Sequence, residues 1–158
     1  MTKYYKLSWV GVVLWMAVIF YLSHQPAAVS SNLSSDITEF IINAVEDVFP
    51  DTGIDIRDLN HIVRKNAHFI AYFILGILMV NAFKGSVLPR RRSVIWALVF
   101  SVLYAMSDEF HQLFIPGRSG EVRDVFIDST GAFFGIAFFI GFRKIRKWNQ
   151  KKGSSSII

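Results

Sequence analysis

Residues 93–142 read SVIWALVFSVLYAMSDEFHQLFIPGRSGEVRDVFIDSTGAFFGIAFFIGF. Two apolar runs, Ser93–Met106 and Val125–Phe142, flank the segment Asp108–Asp128, which holds three aspartates, two glutamates, two arginines and a histidine. A helix needs about 20 mainly apolar residues to cross a bilayer. The second run approaches that length, and the first reaches it by recruiting flanking residues. Helix, polar turn and helix in succession make a transmembrane hairpin. Ionisable residues at the edge of hydrocarbon are expensive, and where they gather a functional site is the default hypothesis.

Beyond this hairpin, Leu7–Leu22 and Ala67–Phe83 supply two further apolar runs. With 53% hydrophobic residues and a mean hydropathy of +0.39, the chain is too apolar for a soluble domain of its length. The expected fold is an all-α integral membrane protein, a four-transmembrane-helix bundle. Its spans fall at about residues 7–23, 64–83, 93–112 and 124–143. Residues 1–150 form one domain, and 151–158 read as a disordered tail.

Charge sets the expected orientation. Lys3, Lys6, Lys84, Arg90, Arg91, Arg92 and six Lys or Arg after Phe142 lie at one set of span ends, where no Asp or Glu occurs. That is 12 of the 17 basic residues, while all 12 acidic residues lie toward the opposite ends. The positive-inside rule then places both termini in the cytoplasm and the Ser23–Asn66 and Asp108–Asp124 loops on the extracytoplasmic side. The same topogenic lysines and arginines account for the net charge of +5 and the pI near 9.6, so the basicity implies a lipid bilayer as partner and no nucleic acid. Leu7–Leu22 reads as a retained span rather than a cleaved signal peptide, because three spans would split the basic ends between two sides. The absence of cysteine excludes disulfides, thiolate metal sites and a cysteine nucleophile.

In the long outer loop, Leu33, Ile37, Phe40, Ile41, Ala44, Val45, Val48 and Phe49 recur at helical spacing. They predict an amphipathic helix over Ser35–Phe49. Its polar face carries no Lys or Arg, so it is expected to cover the outer span ends rather than lie on anionic lipid. A further helix starts near Asp55 and runs straight into the second span. Gly131 and Gly135 form a small-xxx-small pair, which in membranes means close helix packing.

Counting from the basic ends at about 1.5 Å per residue gives depths for the polar residues. His68 lies about 24 Å from Lys84, Glu109 about 26 Å from Arg92, Asp128 about 23 Å from Arg143 and Ser23 about 26 Å from Lys6. The hydrocarbon core is about 30 Å thick. Four spans thus carry polar residues to one shallow depth at the outer leaflet, an alignment that a solvated loop does not require. Arg64, His68 and Tyr72 share one helix face, with Lys65 adjacent. Asp124 and Asp128 lie one turn apart, and Asp108 can face His111 and Gln112. The turn Ile115–Gly120 can present Arg118 and backbone N–H groups to an anion.

These blocks resemble those of the VanZ-like family. Arg64-Lys65-Asn66-Ala67-His68-Phe69 with Tyr72 and Gly76 is similar to its RKxxHFxxYxxLG element. Asp108-Glu109-Phe110-His111-Gln112, Pro116-Gly117-Arg118, Asp124, Asp128 and Gly131 are similar to its DExHQxFxPGRxxxxxDxxxDxxG element, and Ser23 with Gln25 to its S-x-Q element. The resemblance covers nearly the whole chain. It implies a multi-pass protein of the bacterial cytoplasmic membrane and a link to low-level resistance to teicoplanin, a glycopeptide that targets cell-wall precursors. It implies no mechanism.

The chemistry stays open among three readings. An enzyme, hydrolase or transferase, would act on an outer-leaflet lipid-linked or envelope substrate, with Glu109, His68, His111, Asp108, Asp124 and Asp128 as its acids, bases and orienting groups. Arg64, Lys65, Arg118, Gln112, Tyr72, Ser23 and Gln25 would bind an anionic ligand, guanidinium being suited to phosphate and carboxylate. A metal variant draws on His68, Glu109, His111, Asp124 and Asp128. A Ser-His-Asp variant lacks a nucleophile motif. The second reading is binding or shielding of a cell-wall precursor without chemistry. The third is a structural network in which pairs such as Asp108–His111 and Arg64–Asp124 fix the helix ends. No span carries an ionisable residue in its inner half, so a transporter reading is weaker than these three.

Overall fold

The computed structural model describes residues 2–30, 32, 35, 38–39, 56–86 and 88–155. Four long helices dominate: α1 (Thr2–Ser23), α2 (Ile56–Lys84), α3 (Arg90–Gln112) and α4 (Val122–Ser155). All four are long and apolar enough to cross a membrane, and no strand occurs among the described residues. The third span does recruit its flanks, reaching 23 residues between Pro89 and Leu113. Helix α2 is continuous from Ile56 into the span. Helix α4 continues to Ser155, into the tail that the sequence reading leaves unstructured. Apart from residues 35, 38 and 39, the amphipathic helix expected at Ser35–Phe49 lies outside the described residues.

The packing is that of a membrane bundle. The buried positions of α3 are Ser93, Ala97, Ser101, Ala105, Asp108, Glu109 and Gln112. Its Ile95, Trp96, Leu103, Met106 and Phe110 point outward. A helix that buries small and polar residues while exposing large apolar ones is inverted relative to water-soluble packing, and fits lipid outside. Phe126, Phe133, Phe134 and Phe138 do the same on α4, and Leu7, Val13 and Leu14 on α1.

Helix α2 is the central element. It packs against α1, α3 and, most extensively, α4. Tyr72, Leu75, Met79 and Val80 of α2 form the core with Val12 and Ile19 of α1, Ala97 and Ala105 of α3, and Ala132 and Ile136 of α4. Small residues let the backbones approach. A Cβ added at Gly76 would lie 2.3 Å from the Ala132 carbonyl oxygen, at Gly131 2.4 Å from that of Phe69, and at Gly135 2.0 Å from that of Phe73. Helix α1 is tied in by polar bonds as well. Trp15 Nε1 donates to the Ala71 carbonyl at 2.8 Å, and the Tyr104 hydroxyl to that of Met16 at 2.6 Å.

The up-and-down order sorts the span ends by charge. Lys84, Arg90, Arg143, Lys144 and Lys147 line one cavity at one end, walled by Val80, Phe139 and Ile140. The ends near Ser23, Arg64, Gln112 and Val122 meet at the other.

Candidate functional site

At the end opposite the basic cavity, the spans bring polar side chains into contact. Ser23, the last residue of α1, is buried, and its hydroxyl donates to Asp108 Oδ2 on α3 at 2.7 Å. His68 Nδ1 of α2 lies 3.6 Å from Asp128 Oδ2 of α4. Asp128 is wholly buried, and neither of its oxygens has a hydrogen-bond partner among the described residues. The same holds for Asp108 Oδ1. Among the described residues, His68, Asp108 and Asp128 each offer one donor atom within 4.8 Å of the others. Tyr72, fully buried one turn below His68, completes the floor with a hydroxyl that has no hydrogen-bond partner among the described residues.

The loop between α3 and α4 roofs this cluster. Gly117 takes a φ of +75°, a left-handed conformation that costs a residue with a Cβ about 1–2 kcal/mol. The turn carries the next residue, Arg118, back over α1. Its Nε donates to the Gln25 carbonyl at 2.9 Å and its Nη2 to that of Leu22 at 3.2 Å. Burial is the main influence pushing the Arg118 guanidinium down from its ordinary value, with Arg64 acting in the same sense and Asp108 and Glu109 opposing. An arginine still keeps its charge at neutral pH. The Ala27 N–H donates to the Pro116 carbonyl at 3.2 Å, fastening the loop to the chain beyond α1.

Glu109 Oε2 accepts the Glu121 backbone N–H at 3.0 Å, and its Oε1 is buried without a partner among the described residues. Lys65 Nζ lies 2.8 Å from Asp124 Oδ1 and 3.6 Å from Glu121 Oε2. Asp124 therefore pairs with Lys65 and not with Arg64. His111 also departs from the expected arrangement. Its Nε2 lies 3.1 Å from His24 Nδ1, and its ring packs on Phe20 of α1. It faces α1 rather than Asp108. Gln25 enters through its carbonyl, while its side-chain amide donates to Tyr21.

Two cavities meet here. A polar pocket of ≈ 50 Å³ is lined by Arg64, Lys65, His68, Gln112, Arg118, Glu121, Asp124 and Asp128, among others. A larger cavity of ≈ 300 Å³ lies between α1 and α2, where Ile19, Leu22, Val63, Ala67 and Ala71 are its apolar walls. Arg64, His68 and Arg118 line both. An acidic and imidazole floor with cationic walls can hold an anionic group, move a proton, or ligate a hard or borderline cation.

Of the residues singled out in the sequence, Ser23, Arg64, Lys65, His68, Asp108, Glu109, Gln112, Arg118, Asp124 and Asp128 lie in or around this cluster. His111 does not. Two contacts were missed: Glu121, which takes part in the cluster, and His24, which meets His111 outside it. His24 stands between the two fixed letters of the S-x-Q element, and Glu121 within the variable stretch after Pro116-Gly117-Arg118. Neither carries a local signal.

Compared with families of known proteins, residues 8–143 match the model of the family described as VanZ/LLP1. No curated protein and no solved structure matches the chain. The matched region takes in all four spans and every residue of the cluster, and this multi-pass membrane protein belongs to the VanZ/LLP1 family.

Proposed function

We propose that this protein binds, and acts on, the anionic head of a lipid-linked cell-envelope ligand at the outer leaflet of the bacterial cytoplasmic membrane. One observation carries the reading: Arg64, His68 and Arg118 belong at once to a polar pocket and to an apolar cavity between α1 and α2. A soluble anion needs only the first, and a plain lipid chain only the second. A ligand with a charged head on an apolar tail uses both. Arg64 and Arg118 are the head-binding groups, and His68, Asp108, Asp128 and Glu109 the groups that act as acids, bases or their orienting partners.

The outward placement follows from charge. Both termini and the basic loop belong in the cytoplasm by the positive-inside rule, which leaves the polar pocket on the far side. Teicoplanin also acts on that side, and a protein that changes the lipid-linked precursors there would alter susceptibility to it.

The test compares cells carrying the wild-type chain with cells carrying Asp128→Asn or Glu109→Gln at matched membrane levels. Anionic lipids and lipid-linked precursors are profiled by mass spectrometry, alongside teicoplanin susceptibility. The expected result is one precursor or lipid class that changes with the wild type and reverts with both variants. Wild-type and variant profiles that coincide would sink the enzymatic reading. Loss confined to Arg64→Ala and Arg118→Ala would leave binding without chemistry.

A further inference from the structure

We infer that His68, Asp108 and Asp128 together hold one divalent metal ion, Mn²⁺ or Zn²⁺, at the floor of the polar pocket. Their donor atoms come from three helices, and all lie within 4.8 Å of one another. An ion about 2.1 Å from each ligand spaces them at most about 4.2 Å apart. A contraction of about half an ångström therefore closes the set. The His68 Nδ1 to Asp128 Oδ2 separation of 3.6 Å already falls within that limit.

Proximity alone would not distinguish a metal site from a tight cluster. The unpaired oxygens do. Asp128 is wholly buried, yet His68 Nδ1 approaches only its Oδ2, at 3.6 Å, and among the described residues neither Asp128 Oδ1 nor Asp108 Oδ1 has a hydrogen-bond partner. A buried carboxylate without a donor is costly, and native structures rarely leave one so. Two of the nearby cations make their contacts to other groups. Lys65 faces Asp124 and Glu121, and the Arg118 contacts go to the Leu22 and Gln25 carbonyls. A divalent ion neutralises two carboxylates and satisfies their free oxygens in a single step.

The surroundings match the way metal ligands are held. Ser23 donates to Asp108 Oδ2, which fixes the carboxylate and leaves Oδ1 available, as outer partners of metal ligands do. One imidazole and two carboxylates leave coordination positions open, as in sites where a metal meets a ligand. His68 and Asp128 line the pocket, so those positions face it. Carboxylates suit Mn²⁺ and imidazole suits Zn²⁺, which makes these two the ions to test.

This inference deepens the function proposed above, and the two fail separately. The full-length protein in mild detergent is stripped with chelator, then titrated with Mn²⁺ by electron paramagnetic resonance and with Zn²⁺ by competition. The expected result is one site per chain. Affinity should fall more than about a hundredfold in Asp128→Asn and His68→Gln, and by about ten- to a hundredfold in Ser23→Ala, which keeps all three ligands. Asp124→Asn and His111→Ala should bind as the wild type does, which separates this set from neighbouring acids and imidazoles. Gel filtration and circular dichroism establish that each variant is folded, and Ser23→Ala carries the test if the ligand variants are not. No site tighter than millimolar, or binding unchanged in Ser23→Ala and Asp128→Asn, overturns the inference. If metal is absent while the Asp128→Asn cells still lose the lipid signature, the metal falls and the proposed function stands. If metal binds and the cellular profile does not respond, the reverse holds.

Discussion

Ser23 and Asp108 show how a single hydroxyl can hold a charged cluster together. Their 2.7 Å bond crosses from α1 to α3, and both side chains are buried. Ser23→Ala should lower stability by about 1–3 kcal/mol, the usual loss when a buried acceptor is orphaned. Thermal unfolding in detergent, followed by tryptophan fluorescence, measures it. Arg118 is a geometric case. Two of its nitrogens reach two different carbonyls, a fork that a lysine ammonium cannot reproduce. Arg118→Lys should therefore impair the cellular activity nearly as much as Arg118→Ala, despite keeping the charge. Full activity in Arg118→Lys would reduce the residue to a point charge.

Among the helices, the closest approach is between α2 and α4, where backbone meets backbone. A Cβ at Gly135 would lie 2.0 Å from the Phe73 carbonyl oxygen, so the helices must separate to admit a methyl group. Gly135→Ala should cost about 1–3 kcal/mol, as overpacking does. It should also loosen the His68–Asp128 juxtaposition, because those two residues stand on the same pair of helices. Among the described residues, no neighbouring element comes within 4 Å of a Cβ added at Gly141, so Gly141→Ala serves as the control and should melt like the wild type. At the turn, Gly117→Ala brings about 1–2 kcal/mol of backbone strain and places its Cβ 3.1 Å from that of Ala27. Reduced activity at nearly unchanged helix content is the expected signature, read by circular dichroism beside the lipid profile.

For the whole molecule, the testable property is orientation. The chain has no cysteine, so single cysteines can be introduced without background. Glu121→Cys should react with a membrane-impermeant maleimide in intact cells, and Arg91→Cys only after permeabilisation. The opposite pattern would move the polar pocket to the cytoplasmic face and remove the outer-leaflet ligand from consideration. The apolar belt of exposed Phe, Leu, Ile and Val side chains fits lipid around the bundle in either orientation, so labelling and not packing decides between them.

Helix existence and span order were written in the sequence, because apolar run length and charge asymmetry are local properties that a bilayer reads directly. The Gly131 and Gly135 contact was legible too, since a small-xxx-small pair has one common use in membranes. Depth was countable from the rise per residue, which is why Ser23, His68, Glu109 and Asp128 could be set side by side in advance. Rotation about each helix axis was not countable. Asp108 and His111, three residues apart, differ by about 60° around α3; the first meets Ser23 and the second meets His24. Arg64 and Lys65 differ by about 100°, and Lys65 is the one that reaches Asp124. Which donor meets which acceptor depends on how small residues let the helices settle against one another. The sequence alone determined a four-span bundle with polar residues at one shared depth. The choice of His68, Asp108 and Asp128 as the buried cluster was left to the packing of α2, α3 and α4, because only packing sets the rotation of each helix toward the others.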